Sequence, residues 1–568
     1  MGKQREQIEV IICERERSRT VDIEAGSSLL EIATEQNITS PHKVIAAYVN
    51  NRIKQLDHKI YSPANLRFVD IMSFAGMRVY QRTISLVMQC AVEQTLPHHK
   101  LYIRHSMGPN GLYCEVESRD EESTIIAITP EEVCGIGRRM MQIVEEDAPI
   151  TRHKLPTERV KKIYLERGYT DKVELLETRP RLYSEIYTLH ESVGYFYGPL
   201  APSSGYVSRF EVEPYHRGFY IGMPRRDAPN QLSVSPHQSK MFDVFQLHQR
   251  WVDVMKVQTV GALNTKILAG DSSEMIKLSE ALAERAVAMA ADAFAAENVK
   301  RGCRVILLAG PSSSGKTTTS KRLGVQLQLL GFCPVLISLD DYFVDRELTP
   351  LDENGEFDFE ALEAIDLKRF NENLNDLFKG ESVDIPRYDF ISGKSRLHAK
   401  PLKLEDNSIL IIEGIHGLNP HLVDSFDEKM VYRIYTSCFT TVAMDDASRI
   451  ASADNRLLRR LTRDNAQRGT NATSTLKRWA SVRRGEERHI FPYQENADWM
   501  INTAQFYEIA VVKPFAEKIL REVPNTGVEY EEALRLLKML DHFLVIEPTE
   551  IPPTSTLREF IGGGSFTY

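Results

Sequence analysis

The residues with the clearest chemical potential are Gly310, Pro311, Ser312, Ser313, Ser314, Gly315, Lys316 and Thr317, which spell GxxxxGK[ST] directly after the apolar run Val305 to Ala309. The glycines let backbone amides turn inward around phosphate oxygens. Lys316 brings a positive charge to the β- and γ-phosphates of a nucleotide, and Thr317 offers a hydroxyl to Mg²⁺. Thr318 continues the loop into TTTSKRLGVQLQLLG, an amphipathic segment whose N-terminal dipole favours the same anion. A serine-rich surface loop is the bland alternative, but strand, loop and helix agree here.

Three further sets of residues suit phosphoryl transfer. The run PVLISLDDYF brings Asp340 to the end of a strand, where a carboxylate can accept the proton of an attacking hydroxyl or help to hold a metal. The strand Ser408 to Ile412 ends in Glu413, close enough in such a sheet to act on Mg²⁺. The segment RLLRRLTRDNAQRG spaces Arg456, Arg459, Arg460, Arg463 and Arg468 so that several guanidiniums share one helical face. Arginines of that kind neutralise charge on a transferred phosphoryl group, and a helix that closes over the nucleotide excludes water. A helix-capping role for the acids and a solvated basic face for the arginines are the structural readings of the same residues.

These groups need a parallel sheet to position them, and the chain has room for more than that. Its 568 residues, 42% hydrophobic and 26% charged, are globular in composition and imply several domains. With 70 Lys plus Arg against 79 Asp plus Glu, the net charge is -9, so general attraction to nucleic acid or anionic membrane is not expected. The seven cysteines lie far apart without a CxxC pair, which argues against a disulfide framework or a cysteine zinc site and fits a reducing cytoplasm. No long apolar segment that could anchor the chain in a membrane is present.

Before the phosphate loop the pattern divides. Residues 1–72 predict strand IEVIIC, a second strand near Thr20 to Ile23, a helix opened by a Ser28–Glu31 capping box, and a tight turn at Asn50-Asn51. Residues 73–213 alternate helices and strands. Residues 214–270, with Pro224, Pro229 and Pro236, predict a connector without clear periodicity. Asp271 with Glu274 predicts the cap of a long Ala-rich helix to about Asn298, leading into a unit that spans 271–568.

On these motifs the stretch from about 300 to 510 resembles the uridine kinase and phosphoribulokinase family. SLDDYF, FDFEALEAID, IPRYDF, IIEGIHGL and HIFPYQENADWMIN recur in the family's order. The resemblance implies Asp340 as catalytic base and Glu360 on the acceptor's ribose hydroxyls. It also implies Tyr388 packed on the base, Glu413 beside the metal, and Arg460, Arg463 and Arg468 in a lid. The cofactors implied are ATP and Mg²⁺. Two departures bear on the acceptor: Ser392-Gly393-Lys394-Ser395-Arg396 replaces the family's histidine, and Arg478 stands near its base-reading glutamine. The front segments resemble, in order, the TGS domain and the editing domain of threonyl-tRNA synthetases. The family's HxxxH pair falls on Arg82 and Leu86, and its Cys and His on Phe196 and Leu200, which cannot supply metal or nucleophilic ligands. His98, His99 and His105 read as ordinary surface or hydrogen-bonded histidines.

The expectation is a multidomain α/β protein: a TGS-like β-grasp unit (1–72), an editing-like α+β unit (73–213), a connector (214–270) and a P-loop, doubly wound parallel-sheet kinase unit (271–568). The expected activity is an ATP-dependent phosphotransferase, a nucleoside kinase acting on the 5′-hydroxyl of uridine or cytidine. A phosphoribulokinase-like enzyme of a sugar phosphate, suggested by Lys394, Arg396 and Arg478, and an ATP-switched regulator contacting RNA through its N-terminal half are the alternatives. Expected partners are a small-molecule acceptor and a second copy in a homo-oligomer, with no membrane.

Overall fold

The computed structural model describes residues 6–567 apart from 15–16, 109, 119–124, 236–237, 354, 391, 398–400 and 424–426. In the C-terminal half, five strands form one parallel sheet in the order Cys333–Ser338, Ser408–Gly414, Val305–Ala309, Val431–Ser437, Trp499–Asn502. Side chains of the central strand alternate between two cores. Val305 and Leu307 join Phe370, Leu374 and Leu410 on one face, while Ile306 and Leu308 join Phe294, Leu323 and Ile411 on the other. Burial on both faces is why this strand reads as continuously apolar. Helices Ser272–Arg301 and Lys316–Leu329 cover one face and Leu367–Phe378 the other. The carboxyl ends of three neighbouring strands therefore converge on the phosphate loop, Asp340 and Glu413, where open parallel sheets keep their sites.

At the front, Gln7–Cys13 pairs antiparallel with Ser18–Glu24 and parallel with Ala64–Val69, and Ala46–Val49 and Arg52–Lys54 complete a five-stranded mixed sheet. Helix Leu29–Glu35 closes its core. The Ser28 amide donates to Glu31 Oε2 at 2.7 Å and the Glu31 amide to Ser28 Oγ at 3.2 Å, the reciprocal cap expected from sequence. Asn50 and Asn51 take φ of 48° and 59°, the left-handed pair that a two-residue hairpin turn needs.

The second unit stacks helices Phe74–Thr95 and Pro130–Glu145 on an antiparallel sheet of order Glu211–Tyr215, Gly218–Gly222, Gly111–Ser118, His99–Met107, to which Ile125–Ile126 adds. The boundary expected at 213 falls inside Glu211–Tyr215, so the hairpin to Gly222 completes this unit. The expected connector is also largely helical, with Ser239–Met255 and Val260–Ala269; Pro236 lies outside the described residues. Its periodicity is present in Phe242, Phe245, Val252 and Met255, all buried. His105 packs its ring 3.8 Å from that of Phe245, and burial pushes its pKa down to about 3. The cap expected at Asp271 is not formed: at φ -80°, ψ 6° its side chain makes no cap bond and pairs with Lys266 at 3.6 Å.

The units share a buried apolar core, in which Tyr164 and Leu175 join Val442, Leu457 and Leu536, and are tied further by charge. Lys172 lies 3.3 Å from Asp171 and 3.1 Å from Asp445, and Lys100 lies 2.9 Å from Glu117 and 2.8 Å from Asp446. Helix Tyr530–Leu540 and its C-terminal flank reach the front, where Glu531 accepts from the Ile53 amide at 2.9 Å, and Glu532 and Asp541 pair with Arg78 and Arg179 at 2.7 and 2.6 Å. Among the described residues no helix is long and apolar enough to cross a membrane.

Candidate active site

The phosphate loop is shaped by contacts on its outer side. Arg456 donates to the Ser312 carbonyl at 3.0 Å, Arg459 to the Ser313 carbonyl at 3.5 Å, and the Thr503 hydroxyl to the Ser314 carbonyl at 2.5 Å. With these carbonyls drawn outward, the amides of Ser312, Ser313, Gly315, Lys316 and Thr317 have no partner among the described residues. Gly310 is required because a Cβ there would stand 2.1 Å from the Thr436 carbonyl oxygen, and Gly315 takes φ 83°. Such a ring of unpaired amides at a helix N-terminus attracts phosphate.

The acidic groups meet at one edge of this loop. Glu413 Oε1 accepts from the Thr317 hydroxyl at 3.2 Å and from the Ser338 hydroxyl at 3.0 Å. Burial, reinforced by Asp340, pushes its pKa up to about 7. Asp340 sits in the single turn Leu339–Tyr342 after its strand and is half-buried, and among the described residues its carboxylate has no hydrogen bond or ion pair. Glu360 presses against the helix Ala472–His489, where a Cβ at Gly485 would lie 2.3 Å from Glu360 Cβ. Its Oε2 is buried without a partner, and burial pushes its pKa up to about 7 against the pull of Arg460 and Lys316. Lys316 Nζ has one protein partner, the Pro311 carbonyl at 3.2 Å. The structure therefore brings Lys316, Thr317, Asp340, Glu360, Glu413 and Arg460 together.

The arginine helix, Ser452–Gln467, splits by burial into two sets. Arg456 pairs with Glu486, and Arg459, fully buried, holds Glu508 at 2.7 Å; both support the loop from behind. Arg460 donates to the Ser312 hydroxyl at 2.7 Å, and Arg463 lies 3.2 Å from Asp464 and 3.9 Å from Glu559. Arg468 caps the helix, exposed, 5.1 Å from the Phe390 ring and 3.8 Å from Asp464. Tyr388 stands further out in strand Pro386–Asp389, its ring 5.5 Å from Phe343 and 5.1 Å from Phe390, with its buried hydroxyl unpartnered. Of the cations that point to a sugar phosphate, Lys394 is committed to Asp345 and Glu347 at 3.2 and 3.0 Å, and Arg478 is exposed.

Two residues escaped sequence reasoning. His416, in the turn after Glu413, is buried beside the Glu360 and Ala361 backbone, and burial and His489 hold its pKa down to about 4. Glu559 comes from the C-terminal segment. Its carboxylate accepts from the Thr318 amide at 3.2 Å and the Thr318 hydroxyl at 2.6 Å, inside the first turn of the phosphate-loop helix. Contacts of that kind link positions 241 residues apart, and nothing in local sequence signals them.

The donors at Thr317 and Glu413 are oxygens, the hard ligands that Mg²⁺ takes together with substrate phosphates. Residues 305–510 match the model of the phosphoribulokinase / uridine kinase family. The uridine kinase of Staphylococcus aureus strain JH9 is 32% identical over 209 residues, covering 36% of this chain and 91% of that protein, and that of strain Newman is equally similar. A solved structure of a possible uridine kinase from Bacillus stearothermophilus aligns at 17% identity over 35% of this chain and 89% of that one, with a TM-score of 0.25.

Proposed function

The chain belongs to the phosphoribulokinase / uridine kinase family through residues 305–510 and is an ATP-dependent kinase of an alcohol group, and we propose that its acceptor is the 5′-hydroxyl of uridine or cytidine. The observation that carries the reading is the meeting of unpaired loop amides and Lys316 with three carboxylates that form no ion pair among the described residues: Asp340, Glu360 and Glu413. Phosphoryl transfer asks little covalent help of a protein, so positioning and charge neutralisation are the tasks to assign.

In this reading Gly310 to Thr318 and Lys316 hold the ATP phosphates. Thr317 and Glu413 hold Mg²⁺, which when bound offsets charge on the β- and γ-phosphates. Asp340 takes the proton of the attacking hydroxyl, for which its freedom from internal partners leaves it available. Glu360 accepts from the ribose hydroxyls, and Tyr388 with Phe343 and Phe390 supplies an apolar wall for the base. Arg460, Arg463 and Arg468 close over the transferred group and exclude water. Commitment of Lys394 to two carboxylates weighs against a sugar-phosphate acceptor.

The proposal extends to the front: residues 1–72 as a TGS-like β-grasp unit, supported by the strand order and the capped helix across the sheet, followed by an editing-like unit without editing residues. The test is to identify the product formed from ATP and uridine by mass spectrometry and phosphorus NMR. A nucleoside 5′-monophosphate is the expected product; absence of any phosphorylated nucleoside refutes the assignment of acceptor.

A further inference from the structure

Between the second unit and the kinase half opens a wide cleft of about 2190 Å³ whose lining includes Arg82, Ser85, Phe196, Tyr197 and Arg449 and reaches Pro311 of the phosphate loop. Its two arginines are unusual among the charges of this chain. Arg82 projects from helix Phe74–Thr95 and makes one long contact, to the Pro199 carbonyl at 3.4 Å, with its guanidinium 5.6 Å from the centre of the Tyr197 ring. Arg449, three residues before the lid helix Ser452–Gln467, has no side-chain hydrogen bond or ion pair among the described residues. The carboxylates nearby are already taken. Arg535 holds Asp454 at 2.7 Å and Glu532 at 2.6 Å, and Arg78 holds Glu532 at 2.7 Å.

Two guanidiniums at the cleft wall without an ion-paired carboxylate cost stability, because a desolvated charge is expensive unless it is paired, and Asp454 acts on Arg449 only from beyond contact. Burial pushes both down to about 10, in keeping with that expense. The seat of Arg82 is also fitted: a Cβ at Gly198 would fall 2.5 Å from its guanidinium carbon, so glycine makes room for it. Tyr197 adds a phenol and an aromatic face that interacts electrostatically with both cations. Guanidinium groups suit phosphate by geometry and charge, and the volume is ample for a small molecule carrying one.

We infer that the part of this cleft around Arg82 and Arg449 is a second ligand site, distinct from the phosphate loop whose Pro311 also lines the cleft, and that it binds a phosphorylated small molecule with its phosphate on Arg82 and Arg449. A nucleotide and a sugar phosphate share that chemistry, and the position of Arg449 just before the lid helix connects the occupant to the lid.

The test uses the full chain carrying Lys316→Ala, so that binding at the phosphate loop is weakened, titrated calorimetrically with uridine 5′-monophosphate, ribose 5-phosphate and inorganic phosphate. The expected result is binding of one equivalent of at least one probe, weakened about tenfold or more by Arg82→Gln or Arg449→Gln. Tighter binding of the nucleotide than of ribose 5-phosphate would identify a base-reading site, and equal binding a phosphate-reading one. Gly198→Ala, which keeps both arginines, should weaken the same probe by crowding Arg82. Without ligand, each arginine variant should melt above its parent, since an unpaired half-buried charge is removed; a purely structural arginine would give a lower melting temperature. Failure of all three probes to bind, or binding that survives both arginine substitutions, overturns the inference.

Discussion

At the seam between the second unit and the kinase half, each buried lysine lies between two carboxylates: Lys172 between Asp171 and Asp445, Lys100 between Glu117 and Asp446. At the phosphate loop the same residue types stand side by side without pairing. Lys316 reaches a carbonyl, Glu413 accepts from two hydroxyls, and Asp340 and Glu360 form no ion pair among the described residues. Charges that close on one another hold domains together, and breaking them leaves an uncompensated buried ion. Charges left open lose stability in the free protein and regain it from a substrate that completes them. On the arginine helix Arg459 is sealed to Glu508, while Arg460 divides itself between Asp464 at 3.3 Å and the Ser312 hydroxyl of the loop.

The sharpest way to break the comparison is to remove open charges. Lys316→Ala or Asp340→Ala should lower kcat by roughly a thousandfold or more while melting temperature hardly changes, because neither forms a buried pair. Comparable turnover in either variant would remove that residue from the mechanism. Removing a closed charge should do the reverse. Lys172→Ala strands Asp171 and Asp445 and should cost about 3–5 kcal/mol in urea unfolding, with kcat per folded molecule preserved. A loss of kcat without loss of stability would assign the seam a catalytic part instead.

A smaller effect concerns pH. Burial raises Glu360 from 4.5 to about 7, so folding favours its protonated form. Its contribution to stability is complete below the unfolded value of 4.5 and is lost as pH rises through about 7. Its ionised form is the one that accepts acceptor hydroxyls, so acceptor KM should fall as pH rises through about 7, and Glu360→Gln should flatten that profile. The smallest effect is expected at Glu559, whose carboxylate competes with phosphate for the Thr318 amide. Glu559→Gln should lower the KM for ATP a few-fold, and a raised KM would make Glu559 a supporting residue.

Legibility from sequence followed contact range. The phosphate loop, the capping box at Ser28, the Asn50-Asn51 turn and the apolar central strand are local patterns, and each takes the form its residues imply. Glu360, Glu413 and Asp340 were legible as members of motifs, but their lack of internal partners was not, since that depends on which cations fold near them. The arginine spacing gave the helix without revealing which members were buried, because Glu486 and Glu508 arrive from distant segments. The hairpin Glu211–Tyr215 to Gly218–Gly222 and helix Ser239–Met255 were hidden by neighbouring prolines and aromatics that broke the apparent pattern. Glu559 and the pairing of Lys172 with Asp445 are tertiary facts without local signature.

The measurement that tests the central claim most directly is acceptor-dependent ADP release by the purified chain with ATP and Mg²⁺, comparing uridine, cytidine and ribulose 5-phosphate, with the Asp340→Ala chain as control. The account predicts turnover with uridine or cytidine that disappears in the variant. Turnover with ribulose 5-phosphate alone, or release of ADP that ignores both the acceptor and Asp340, would contradict it.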